Sequence, residues 1–143
     1  AYKKRLKRHG ILRSKGLIYF LGVFDREKET PIGEVLISLI VRFNVQSARI
    51  YYGGFNNHWR NGYGLGALRG LISFGIENLK LNRLEAEIQV DNRPSRALAR
   101  KVGMTLEGLR RQAIYFDGKW HDHLAYSITA KDLGFRKRKP TIG

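Results

Sequence analysis

The sequence predicts one mixed α/β domain in the order β-β-β-α-β-α-β-β, antiparallel at both ends of its sheet and parallel where a helix crosses over. Three observations predict it. Apolar residues at Leu65, Leu68, Ile72, Ile76 and Leu79 recur every three or four positions, the period of a one-faced helix. Arg83 to Val90 instead alternates Glu85, Glu87 and Gln89 with Ala86, Ile88 and Val90, the period of a strand with one polar face. Asp117-Gly118 is a favoured two-residue hairpin turn between two long β-prone runs.

The elements follow in chain order. Residues 1–13 are basic with interleaved Leu6, Ile11 and Leu12, and read as the remnant of a surface helix, broken at Gly16. Leu17–Phe24 is β-branched and aromatic enough for a strand. A charged turn from Asp25 to Thr30, closed by Pro31 and Gly33, leads into a second strand from Glu34 to Val41, so the pair reads as a hairpin. Ala48–Phe55 is a third strand, with Gly53-Gly54 near its end, where glycine marks a bulge or a close approach to the backbone. The first helix ends near Asn78. The Arg83–Val90 strand, reached by a helical crossover, runs parallel to the third. Asp91-Asn92-Arg93-Pro94 caps and opens a second helix that stops at Gly103. Thr105–Phe116 and Trp120–Thr129 form the closing hairpin, and 131–143 is a basic tail. Residues 1–143 contain no repeat or low-complexity linker, so a single domain is expected.

Composition excludes several classes. A 43% hydrophobic content is that of a globular chain and excludes a disordered tail. No run reaches the roughly 18 apolar residues of a membrane span, no signal-peptide pattern is present, and no membrane partner is expected, which makes the cytoplasm the expected compartment. The absence of cysteine excludes a thiolate nucleophile and a cysteine metal site. Twenty-seven Lys and Arg against 12 Asp and Glu give a formal charge of +15, which attracts polyanions and points to RNA or the ribosome as a neighbour. The excess concentrates at the ends, in Lys3-Lys4-Arg5-Leu6-Lys7-Arg8 and Arg136-Lys137-Arg138-Lys139, where solvated runs are the alternative.

The stretch from His58 to Arg69 places Gly62, Gly64 and Gly66 at alternate positions directly before a helix. Glycine lets a backbone turn tightly and approach a ligand, and the first helical turn directs unpaired N–H groups outward at the positive end of the dipole. Together these make a phosphate seat, the alternative being a tight strand-to-helix connection with no ligand. The spacing fits neither the dinucleotide fingerprint nor the nucleoside-triphosphate loop.

Taken in order, Gly62-Tyr63-Gly64-Leu65-Gly66-Ala67-Leu68, Asp91-Asn92-Arg93-Pro94-Ser95, Arg100-Lys101-Val102-Gly103-Met104, Glu107-Gly108 and Phe116-Asp117-Gly118-Lys119-Trp120-His121-Asp122-His123, ending in Tyr126-Ser127, resemble the GNAT-type N-acetyltransferases. The resemblance covers about 17–128 and is strongest to the branch that acetylates the N-terminal alanine or serine of ribosomal proteins. It implies the acyl-CoA N-acyltransferase fold. The chain departs from that pattern in two places. Trp59 stands where the family has Gln or Arg, with Arg60 one residue later. The strand and one or two helices that normally open the family fold do not appear before Ala1, as expected of an incomplete or processed chain, and without them the acceptor side of the cleft would be partly unbuilt unless another chain or missing residues supply it.

The resemblance implies acetyl-CoA as co-substrate, held by Phe55, Asn56, Trp59, Arg60, Asn61, Gly62, Tyr63, Gly64, Leu65, Gly66 and Asn92, with the pyrophosphate on backbone N–H groups. It also implies that the third strand and the Arg83–Val90 strand splay apart near Gly53-Gly54 to receive the pantetheine arm, and that an N–H near Phe55 polarises the thioester. An amine would attack directly, without a covalent enzyme intermediate. Glu87 is the candidate base through water, with an ion-paired strand glutamate as the alternative, and Glu34 and Asp122 are lesser options. Asn92 would contact the cofactor or simply cap its helix. Ser95 would protonate the departing thiolate. The tyrosine that many relatives use for this corresponds to Ala99, which leaves Tyr115 and Tyr126 as substitutes. Trp120 reads as packing. His121 and His123 share a strand face without a third ligand, so no metal is expected.

A protein α-amine, with pKa about 7.7–8.0, needs less help to deprotonate than a lysine at about 10.4. The expected acceptor is therefore a protein N-terminus such as that of a ribosomal protein. A small-molecule amine acetyltransferase and a basic RNA-binding module without catalysis are the alternatives. The oligomeric state stays open, a homodimer included.

Overall fold

The computed structural model describes residues 5–9, 18–24, 31–54, 64–135 and 139–140. Its strands are β1 (Arg5–His9), β2 (Tyr19–Phe24), β3 (Pro31–Val41), β4 (Ser47–Gly54), β5 (Arg83–Gln89), β6 (Thr105–Phe116) and β7 (Lys119–Thr129). Helix α1 (Gly64–Ser73), prolonged by a π turn over Phe74–Asn78, joins β4 to β5, and α2 (Arg93–Lys101) joins β5 to β6. The strands form one sheet in the order β1-β2-β3-β4-β5-β7-β6, antiparallel except where β4 meets β5. The mixed α/β fold class and the order from β2 to β7 are as the sequence predicts, with boundaries displaced by at most three residues.

One expectation is overturned. Arg5–His9, read as part of a helix remnant, is a strand lying antiparallel to β2, with Leu6 opposite Val23 and Arg8 opposite Leu21. The sheet therefore carries a strand before the first one expected. A short basic run has weak helical preference of its own, and the unpaired backbone edge of β2 offers it a ladder instead.

Helices pack on one face of the sheet only, among the described residues. Leu21, Val23, Val35, Ile37, Ala48, Ile50, Leu84, Ala86, Tyr126 and Ile128 point to that face and are buried against Ala67, Leu68, Leu71, Ile72 and Ile76. The register puts Glu85, Glu87 and Gln89 of β5 with Ser127, Ala125 and His123 of β7 on the other face. Close contact between α1 and the sheet requires Gly75, where a Cβ would come within 2.9 Å of the Leu84 side chain. Asp117 and Gly118, with φ of 52° and 76°, form the sharp β6–β7 turn that Asp-Gly favours. Gly103, at φ 91°, ends the α2 segment as a left-handed helix stop.

The foot of the β4–β5 pair is held by Gln46, 2% exposed. Its carbonyl accepts from the N–H groups of Asn82 and Arg83, its Nε2 donates to the Phe43 carbonyl, and its Oε1 accepts from Arg42. This knot sets the register in which the two parallel strands begin.

Candidate functional site

β4 and β5 pair over only three rungs, Ser47 with Arg83, Ala48 with Leu84 and Arg49 with Glu85. Beyond them the strands part. Residues 50–54 of β4 continue to pair with β3 on their other side, and residues 86–89 of β5 continue to pair with β7. Each strand therefore turns one edge of N–H and C=O groups into the gap without a strand partner there. Such an edge is a template for an extended amide-bearing chain. The parting begins at Arg49, earlier than the Gly53-Gly54 pair at which the sequence suggests it.

Helix α1 is the next described element after β4, and Gly64 is its first residue, buried, with Leu65 and Gly66 half-buried behind it. The first four N–H groups of a helix lack intrahelical partners, so this turn is a ready anion seat. Phe55, Asn56, Trp59, Arg60, Asn61, Gly62 and Tyr63 lie outside the described residues, as does the suggested oxyanion donor near Phe55.

On the face of the sheet away from α1 and α2, Glu87 sits beside the gap with its side chain 9% exposed. Its Oε1 accepts from Arg49 of β4 at 2.9 Å and is paired with Arg110 of β6. Its Oε2 lies 3.8 Å from Nδ1 of His123 on β7. Two guanidiniums thus engage Oε1 of the carboxylate. Glu87 is thus placed where the sequence suggests, but in the ion-paired condition that was its alternative reading. Nδ1 of His123 is buried without a hydrogen-bond partner, and the side chain is 12% exposed. Burial, then the His121 and Arg110 charges, hold the His123 pKa below its ordinary value, so the ring is neutral at pH 7.

Asn92 caps α2, its Oδ1 accepting from the Ser95 N–H at 3.3 Å. Ser95 is half-buried in the first turn, and its carbonyl accepts from the Tyr52 hydroxyl at 2.8 Å. Tyr52 stands on the parted stretch of β4, so this bond spans from the gap to α2 on the helix-covered face. Burial, then Tyr126, raise the Tyr52 pKa and keep the phenol protonated. Tyr126 is buried in the core with its hydroxyl accepting from Arg96 at 3.4 Å, and Ala99 is fully buried.

The other candidates are dispersed. Glu34 is exposed on β3 opposite Gly53. Asp122 accepts from the Gln112 N–H at 2.8 Å, which fastens the bulge where β6 shifts register. Tyr115 and Trp120 are exposed at the hairpin end in an edge-to-face pair with centroids 5.3 Å apart, so Trp120 is not the packing residue expected. Arg83 binds Glu107 in a fork, with Glu107 Oε2 accepting at 2.8 Å, and also pairs with Glu85 at 2.6 Å, a network that ties β5 to β6 across β7.

Sequence reasoning passed over Arg49, Arg110 and Tyr52. A charged residue inside the otherwise apolar β4 was the available signal for Arg49. Nothing local could connect Arg110 with Glu87, 23 positions away.

Residues 2–105 match the family model described as "Acetyltransferase (GNAT) domain". The Bacillus subtilis (strain 168) "Probable N-acetyltransferase YjcK" is 30% identical over 132 residues, 91% of this chain and 72% of that protein. The Escherichia coli (strain K12) "[Ribosomal protein uS5]-alanine N-acetyltransferase" is 24% identical over 92% of this chain and 68% of that protein. Among solved structures, Mycobacterium smegmatis RimJ in complex with CoA-disulfide superposes with a TM-score of 0.79 at 28% identity, over 83% of this chain and 56% of that one. The chain spans 56–72% of the length of these relatives.

Proposed function

The chain belongs to the GNAT acetyltransferase family, and from that premise we propose that it transfers acetyl from acetyl-CoA to the α-amine of a protein N-terminus, a ribosomal protein being the substrate that fits best. The observation that carries the reading is the parting of β4 from β5 after three rungs. The pantetheine amides would pair with the free strand edges, and the pyrophosphate would rest on residues 55–63 and on the first turn at Gly64, Leu65 and Gly66. The +15 charge supports this, because it attracts an anionic co-substrate and suits an acceptor presented on RNA in the cytoplasm. The name of the E. coli relative, which acts on an alanine of uS5, supports the same acceptor class.

The amine must lose a proton before it can attack the thioester carbonyl. A C–N bond then forms, the C–S bond breaks, and the thiolate takes up a proton. Ser95 and Asn92 lie at the start of α2 on the helix-covered side of the gap, and in this reading Ser95 serves the thiolate while Asn92 shapes the turn that presents it. Glu87 provides fixed negative charge for the ammonium form of the acceptor.

Acetyl-CoA at about 100 times its dissociation constant should stabilise the protein by about 2.7 kcal/mol in a melting experiment. Gly64→Val should abolish that shift while circular dichroism stays unchanged. An undiminished shift in the variant would remove the helix start from the site. Acceptor peptides with free, but not blocked, amino termini should then release thiol. A wild-type protein that bound RNA in a salt-sensitive way and never acetyl-CoA would leave only the non-catalytic reading.

A further inference from the structure

We propose that His123, on β7 beside the Glu87 carboxylate of the gap-bordering strand β5, is the group that takes the proton from the acceptor amine. The inference rests on the acetyl-transfer reading above and gives the proton step to a residue other than the glutamate. Three observations carry it. Glu87 is engaged by Arg49 and Arg110. His123 Nδ1 is buried without a hydrogen-bond partner and faces Glu87 Oε2 at 3.8 Å, beyond hydrogen-bond length. Both residues occupy the sheet face opposite α1 and α2, Glu87 on β5, which borders the parted stretch, and His123 on the next strand, β7, as the register partner of Gln89.

The arrangement sets an imidazole beside a carboxylate with no hydrogen bond between them in the free protein. With its proton on Nδ1 toward Glu87, the ring offers Nε2 as the acceptor, directly or through one water. The groups around the ring are Glu87 from β5, Arg49 behind Glu87 from β4, Arg110 from β6, and His121 from its own strand. Burial, then the His121 and Arg110 charges, oppose protonation of the ring before the acceptor arrives. Glu87 then faces the imidazolium once the proton has moved. The step balances: the ammonium gives one proton to Nε2, the amine nitrogen attacks, the second nitrogen-bound proton goes to the CoA thiolate, and the imidazolium returns its proton to solvent.

The test uses the full chain with a peptide bearing a free N-terminal alanine, and follows thiol release from pH 5 to 8 with both substrates saturating. Acetyl-CoA affinity is measured separately by calorimetry. His123→Gln should bind acetyl-CoA as the wild type does, lose about 100-fold in kcat, and lack the acidic limb of the wild-type kcat profile. Arg110→Met should retain that limb but move it to higher pH, because one charge opposing protonation of the ring is gone. A His123→Gln variant with wild-type kcat and an unchanged limb would overturn this inference while leaving acetyl transfer intact. A wild-type protein that bound no acetyl-CoA would overturn both.

Discussion

His123 and Glu87 show how neighbours decide what a side chain can do. Glutamate on the polar face of a strand is an ordinary residue, and its sequence context matches either a base or a solvated anion. Arg49 and Arg110 resolve the matter by pairing with it, which also stops it from neutralising His123. Burial, then the His121 and Arg110 charges, lower the histidine's pKa despite a carboxylate 3.8 Å away. The sign of the stability consequence follows directly. The unfolded chain binds the histidine proton more tightly than the folded one, so this contribution is whole above about pH 6.5 and is lost as pH falls below it. Between pH 7 and 5 the wild-type melting temperature should fall more than that of His123→Gln. Parallel decreases in the two proteins would mean that the ring is not the group responsible. Asn92 belongs to the same scale. Its amide oxygen caps α2, so Asn92→Ala should cost about 1 kcal/mol in stability even without ligand.

At the scale of elements, α1 and the β6–β7 hairpin were the easiest to read and differ in what holds them. α1 lies flat on the sheet through Ala67, Leu68, Leu71, Ile72 and Ile76 and makes its nearest approach at Gly75, within the π turn. Gly75→Val would push a branched side chain against Leu84 and Ile37, which are fully buried, and should destabilise the protein by about 1–3 kcal/mol in denaturant unfolding. A neutral result would show that the helix can lift without loss. The hairpin instead relies on its Asp-Gly turn, on the Asp122 clasp at the bulge and on strand pairing, since β6 is exposed along nearly its whole length. An edge strand that long is blunted against further pairing by its two register shifts.

For the whole molecule, the defining feature among the described residues is a seven-stranded sheet that opens between β4 and β5. The gap persists because both parting strands are secured from outside, β4 by β3 and β5 by β7, and because Gln46 pins the foot where they meet. In hydrogen exchange, the amides of 50–54 and 86–89 that face the gap should exchange much faster than their neighbours and slow when acetyl-CoA is added. Uniform protection without ligand would mean that the gap closes in solution, and the acetyl-transfer reading would lose its basis.

The sequence by itself determined the element order, the helix periods, the Asp-Gly turn and the glycine-marked helix start, because each is a local pattern whose period or backbone demand is written in adjacent residues. It also carried enough ordered motifs to place the chain among the acetyltransferases. It did not reveal that Arg5–His9 pairs as a strand, that the parting begins at Arg49, or that Arg110 and His123 converge on Glu87. Those facts depend on which strands lie side by side and in what register, and register is a property of the assembled sheet, in which residues dozens of positions apart become neighbours.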